Sequence, residues 1–218
     1  GTLEGEGKVR RSAAGALTGT AGISSTRGSI TYTDRSEEPL LRYDQLHLAA
    51  TLAPGSQRIE LHSNLDDNGR LDGHLTLSGA QQNLAGQLDL RLRNLAFIEL
   101  LSTDVANAKG QLDGSFNFAG TLQQPAVTGH ADLAEFAAEL PAVGLKLSHG
   151  NLAINTINAQ QFRLDGSVQS GKGSVAMKGV AGIGAGATTA ITLKGSDVTA
   201  ADIPAAKVVI SPDLVVKQ

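Results

Sequence analysis

The most enzyme-like string in the chain is Gly166-Ser-Val-Gln-Ser-Gly171-Lys172-Gly173. It follows a phosphate-binding loop up to the last position, where Ser or Thr must hold magnesium and Gly173 stands instead. The residues after it, Ser174 to Lys178, alternate like a strand, so no helix N-terminus is available to hold an anion. Gly182-Ile-Gly-Ala-Gly186 resembles a dinucleotide loop but has neither the third glycine at its step nor a strand-to-helix frame. The five histidines, His47, His62, His74, His130 and His149, show no pair at a metal-binding spacing, and solvated imidazoles are expected. Asp66, Asp67 and Asn68 carry oxygen ligands suited to calcium, yet the rest of a twelve-residue loop is missing and a hairpin turn is the expectation. No Gly-x-Ser-x-Gly elbow supports a nucleophilic serine. Arg10, Arg11, Arg35 and Arg42 fit either anionic head groups or an ordinary wet face. No enzyme, metal or cofactor is expected.

What remains is an apolar pattern without a reactive centre, so the elements that carry the pattern hold the information. The chain has 218 residues, enough for a sizeable core without staples. Hydrophobic residues make up 41%, but aromatics only 3% with no Trp, which removes the stacking side chains of a nucleic-acid binder. A formal charge of -3 is too balanced for polyanion binding. With no cysteine there is neither a disulfide framework nor a thiolate metal site. No apolar run is long enough for a signal segment or a membrane span, and an opening without Met reads as a cut piece of a longer chain.

Alternation with period two runs through most of the sequence and places every second side chain on one face of a sheet. Leu46 and Leu48 alternate with polar or small residues, as do Leu71, Leu75 and Leu77, and Leu88, Leu90 and Leu92. Phe116 and Phe118, Leu145 and Leu147, Phe162 and Leu164, and Val175 repeat the theme. About a dozen strands are expected, joined as antiparallel hairpins at Ala53-Pro54-Gly55-Ser56, Asp67-Asn68-Gly69 and Ser170-Gly171-Lys172-Gly173. The period breaks once, at 95–105, where Leu95, Ile98, Leu101 and Val105 recur at helical spacing and predict a short helix. Asp132 to Leu140 suits a strand or a helix, with the strand preferred, and the Gly/Ala run from Ala181 to Thr189 reads as a loop or bend. Gly73 to Gly79, Gly114 to Gly120, Gly173 to Gly179 and Thr192 to Gly195 form a loose repeat of short strands ending in glycine, as in an array that grows by hairpins.

Each strand therefore has one aliphatic and one wet face, and the aliphatic face must be hidden. A β-sandwich hides it against a second sheet. A single long antiparallel sheet curled into a U-shaped groove hides it along an inner wall, and the scarcity of aromatic rings and the in-strand glycines favour that arrangement over residues 1–218, with a subdivision near 94–110. The natural guest of such a wall is an acyl chain. At about 0.8 kcal/mol per methylene, a tail of about sixteen carbons costs on the order of 12 kcal/mol to expose to water. A dozen strands at about 4.8 Å each give a groove about 55 Å long.

The order of several phrases resembles a known family. Gly110-Gln-Leu-Asp-Gly114-Ser-Phe-Asn-Phe-Ala-Gly120-Thr-Leu-Gln-Gln-Pro125-Ala-Val-Thr-Gly129 is similar to a recurrent phrase of the translocation and assembly module subunit TamB family, within the AsmA-like class. Leu140-Pro-Ala-Val-Gly144, Leu164-Asp-Gly166 and Ser211-Pro-Asp-Leu214 resemble its downstream phrases, so the likeness is carried by 70–218, with 1–69 similar in style, as in an internal or C-terminal fragment. The resemblance implies a periplasmic β-groove of a Gram-negative envelope protein, anchored in the inner membrane through parts missing here. It implies phospholipid movement toward the outer membrane, or assembly and translocation of outer-membrane proteins with a TamA-like barrel partner, and no catalysis. The first reading makes the fifteen aliphatic and aromatic positions from Leu46 to Val175 the lipid lining. The second makes a sheet edge a scaffold for nascent strands, and a packed sandwich would make the chain a structural or adhesive module.

Overall fold

The computed structural model describes residues 1–218 apart from 14, 16, 32–38, 185 and 218. Arg35 and one position of the Gly182–Gly186 string thus lie outside the described residues. The alternating segments form β1 (Glu4–Arg11), β2 (Leu17–Ile30), β3 (Leu41–Ala53), β4 (Ser56–Leu65), β5 (Gly69–Ser78) and β6 (Asn83–Leu92). A single helical turn, α1 (Ile98–Leu101), is followed by β7 (Ala106–Gly120), β8 (Pro125–Leu140), β9 (Leu145–Asn158), β10 (Gln161–Gly182), β11 (Ala190–Ile203), β12 (Ala206–Ile210) and β13 (Asp213–Lys217).

All thirteen strands belong to one antiparallel sheet, paired in sequence order from β1 to β12, with β13 beside β11. The path is open, since its end strands β1 and β12 are not paired with each other. The expectation of one long antiparallel sheet holds, and the sandwich alternative falls because the described residues form no second sheet. Only seven hydrophobic residues are buried among those described, three of them alanines, and the one large side chain that is fully buried is Leu95. A sandwich would have buried most of the aliphatic face.

By contact density the chain divides into a first unit, Gly1–Leu92 with Gly114–Thr128, and a second, Arg93–Asp113 with Gly129–Gln218. In the first unit the turns follow local chemistry. Pro54 fixes its own φ, Gly55 takes φ 71°, and Ala53 pairs with Ser56. Asp66 to Asn68 make a 3-10 turn, with Asn68 at φ 62°, that returns the chain into β5 as the hairpin reading expected.

Two expectations are corrected. Ser170-Gly171-Lys172-Gly173 is no turn but lies inside the 22-residue β10, where Gly171 at φ 64° forms a bulge and the strand carries on. Gly179 and Gly195 do not end their strands either, but stand in regular pairing opposite Ile191 and Val175. The short helix expected near 95–105 forms at Ile98–Leu101, flanked by 3-10-type bonds from Ile98 N to Leu95 O and from Glu99 N to Ala96 O, and the polar stretch from Ser102 to Asp104 adds no further apolar turn. Asp132 to Leu140 is strand, as preferred. No helix among the described residues is long and apolar enough to cross a membrane.

Candidate lining face

Directly opposed residues in an antiparallel ladder share a face, so the register of the first unit can be read as rows running across the strands. One row is Gly5, Ile23, Leu48, Leu61, Gly73 and Leu88, from β1 to β6. The next is Gly7, Ala21, Ala50, Ile59, Leu75 and Gly86, and a third is Val9, Gly19, Leu52, Gln57, Leu77 and Leu84. Eighteen positions on six strands thus hold a single polar side chain, Gln57. The opposite face is wet: Ser24, His47, His62, Asp72 and Asp89 form one row, and Thr20, Thr51, Arg58, Thr76 and Ala85 another.

The apolar face is not packed away. Leu48 is 38% exposed, Ile23 40% and Ile59 49%, and Leu71, Leu75, Leu77, Leu88 and Leu90 are half-buried. Side chains beneath a second layer would be nearly inaccessible. Leucines also lie down over the glycines opposite them: a Cβ added at Gly73 would stand 3.1 Å from Leu88 Cδ1, and one at Gly86 2.9 Å from Leu75 Cδ1. The surface left is low and aliphatic.

Of the positions expected to line the surface, Leu48, Leu75, Leu77 and Leu88 stand in these rows. Leu71 opposes Leu90 beside Ser63, and Leu46 meets Ser25 where a bulge at Gln45, φ 55°, adds a residue to β3. Leu92 ends β6, and Phe116 and Phe118 share one face of β7; all three are half-buried. Sequence reading missed Ile23, Ile59, Leu61 and Leu84 as lining, although the same alternation in β2, β4 and β6 marks them.

In the second unit Leu145 opposes Leu140, Leu147 opposes both Ala138 and Ser170, and Leu164 opposes Ile154, itself beside Ala131. Val175 opposes Gly195, next to the row of Met177, Leu193 and Leu214. Phe162 differs from the others, being only 7% exposed and covered by its own chain. Leu147 keeps the face of Leu152 and Ile154 despite its opposite parity, because β9 inserts an extra residue at His149, φ 49°.

Such bulges recur on successive strands. Asn107 on β7, Glu135 on β8, His149 on β9, Gly171 on β10 and Asp197 on β11 all have positive φ, and the register shifts at four of them. Each bulge bends its strand and raises the local twist. Close to this line sit the small buried groups of the unit, Ala108, Ala138, Ser170 and Thr199, with Ser170 Oγ donating to Thr199 O at 2.6 Å. Gly150 is required there, since a Cβ would fall 2.9 Å from Phe136 Cβ.

The insert carrying α1 is fastened to the same unit. Arg93 grips Asp113 with two bonds, at 2.8 and 3.0 Å, and reaches Gln111 at 2.9 Å. The amide of Ala96 donates to Asn94 Oδ1, the amide of Ala108 donates to Glu99 Oε1, and Leu95 is 1% exposed. Both ends of the insert are thus hydrogen-bonded to β7, at Asp113 and Gln111 and at Ala108.

On the wet face the register joins what the sequence leaves apart. His47 and His62 oppose each other, and His62 Nδ1 lies 2.5 Å from Asp72 Oδ1, with Arg70 on the other carboxylate oxygen. No group of three metal-ligating side chains forms among the described residues. Across β8 and β9, Lys146 bridges Glu139 at 3.1 Å; with Asn107 it holds that carboxyl below its ordinary range. Arg10, Arg11 and Arg42 are exposed.

No solved structure matches the chain. The family model described as TamB, N-terminal domain, matches residues 1–133, taking in the first 69 residues that the sequence likeness reached only in style. With more than half its length matched, and with an aliphatic-faced open sheet in that stretch, the chain belongs to the TamB family of Gram-negative envelope proteins, which serve outer-membrane-related transport and are associated with TamA.

Proposed function

We propose that the apolar face of β1 to β6 is the wall of a hydrophobic groove that carries phospholipid acyl chains between the inner and outer membranes, without catalysis. The observation that carries this reading is the accessibility of the rows through Ile23, Leu48 and Ile59: an aliphatic surface of this extent in water is a liability unless a guest covers it. Six strands at about 4.8 Å give a wall about 25 Å long, enough to shelter most of one extended tail. Shielding a tail of about sixteen carbons removes most of a cost on the order of 12 kcal/mol, and it needs only aliphatic contact. The full-length protein works in the periplasm from an inner-membrane anchor, and the head group stays outside the wall.

A scaffold for outer-membrane strands working with a TamA-like barrel is the second reading, supported by the family's association with that partner. The two readings use different chemistry, side-chain contact on a face against main-chain pairing at an edge. The test is to place Leu48→Glu and Leu88→Glu together in the full-length protein and measure co-purifying phospholipid and outer-membrane integrity. Loss of both supports lipid carriage. Retained lipid and an intact envelope overturn lipid carriage and leave the edge scaffold, which does not use these side chains, as the reading.

A further inference from the structure

The wet face of β3 to β5 carries a side-chain group that the proposed wall does not use. His47 of β3 and His62 of β4 are directly opposed, at the first pair after the bulge at Gln45 interrupts the ladder. On the next strand Asp72 opposes His62. Asp72 Oδ1 lies 2.5 Å from His62 Nδ1, and Arg70 Nε lies 2.5 Å from the other carboxylate oxygen. A carboxylate held by a guanidinium accepts and does not donate, so in the neutral ring Nδ1 carries the hydrogen and the lone pair sits on Nε2. His47 is exposed, the His62 side chain is 41% exposed, and both border one cavity with Ser24 and Gln45. Arg27 borders it too, with its charge engaged by Asp44 at 2.9 Å.

We infer that His47 and His62 form a site for a late first-row divalent cation, Cu²⁺ before the others, on the side of the sheet away from the proposed wall. Directly opposed strand positions have Cβ atoms about 5 Å apart. One ion with bonds of about 2 Å needs nitrogens about 3 Å apart, which two imidazoles on that base can supply. Asp72 stands behind His62, where it fixes the tautomer and direction of the ring and raises its basicity. Two neutral nitrogens, with water in the remaining positions, suit the tetragonal preference of Cu²⁺, which also binds imidazole more tightly than the other divalent ions of the row. A closed zinc site takes four protein ligands, whereas no group of three or more forms among the described residues. The ion ties β3 to β4 beside the bulge that interrupts their pairing. It stands independently of what the apolar face carries.

The test uses Cu²⁺ alone, titrated into the metal-free chain and followed by calorimetry and electron paramagnetic resonance. One equivalent should bind with a tetragonal spectrum that shows two imidazole nitrogens. His47→Ala and His62→Ala each leave a single ligand and should weaken binding on the order of a hundredfold, the advantage of two joined ligands over one. His130→Ala, whose imidazole stands opposite Asn155 in the second unit, should leave the affinity unchanged. Asp72→Ala should weaken binding about tenfold. Nitrogen NMR of the metal-free protein should find the His62 hydrogen on Nδ1, and Asp72→Ala should release that preference. Cu²⁺ affinity indifferent to both His47→Ala and His62→Ala overturns the inference. So does a spectrum of the unsubstituted protein with one imidazole nitrogen or none, a result that does not depend on how any variant folds.

Discussion

The two units use the same strand grammar to different ends. From β1 to β6 the ladder runs with one bulge, at Gln45, and its rows stay straight enough that Ile23, Leu48 and Ile59 form an accessible aliphatic surface. From the first half of β7 to β11 nearly every strand carries a positive-φ residue; small groups such as Ala108, Ala138 and Ser170 are buried near that line, and Leu95 is inserted close by. A regular ladder leaves its apolar face for something else to cover, whereas a bulged one covers part of it with its own chain. The face proposed to bind thus lies where packing is poorest, and the buried groups lie where glycines and alanines let the backbone close in.

The sharpest way to break this contrast is to delete one leucine from each unit. Leu95→Ala should destabilise by about 2–5 kcal/mol in urea unfolding, as for a fully buried leucine that leaves a cavity. Leu48→Ala, at 38% exposure, should cost less than about 1 kcal/mol in the same titration. Equal losses would mean the first unit packs its face as tightly as the second. Next in size is Gly171→Ala, which adds a Cβ 2.1 Å from Thr199 Oγ1 at a left-handed backbone position and should cost about 1–3 kcal/mol. The corresponding Gly55→Ala meets nothing within 4 Å and carries only the backbone penalty, about 1 kcal/mol.

The smallest effect is electrostatic. Lys146 holds Glu139 below its ordinary pKa of 4.5, so the pair stabilises the folded state above that value and loses its contribution as pH falls through the lowered one. Glu139→Gln should therefore lower stability slightly at neutral pH and converge with the unsubstituted protein in acid, which flattens the acid limb of a thermal-stability profile below about pH 4.5. An unchanged acid limb would show that the exposed bridge contributes nothing.

Much of this architecture is legible in the sequence because period two is a backbone property: Leu84 to Leu92 can hardly be anything but a strand with one dry face. What is hidden is the parity change at each bulge. Ser170-Gly171-Lys172-Gly173 has turn composition and is a bulge, because whether a glycine at positive φ reverses the chain or only kinks it is decided by the neighbouring strands. The burial of Leu95 and the meeting of His47, His62 and Asp72 are likewise long-range facts of register, which local spacing does not encode. Phe162 shows the converse: its alternation marks it as lining, while the fold leaves it only 7% exposed.

The most direct test of the account is a photo-crosslinking residue at position 48 of the full-length protein in cells, with the opposite-face position 51 as control and adducts identified by mass spectrometry. Phospholipid adducts at 48 and not at 51 are the predicted result. Adducts made only of polypeptide, or lipid captured equally at both positions, would contradict an aliphatic wall open to a hydrocarbon guest.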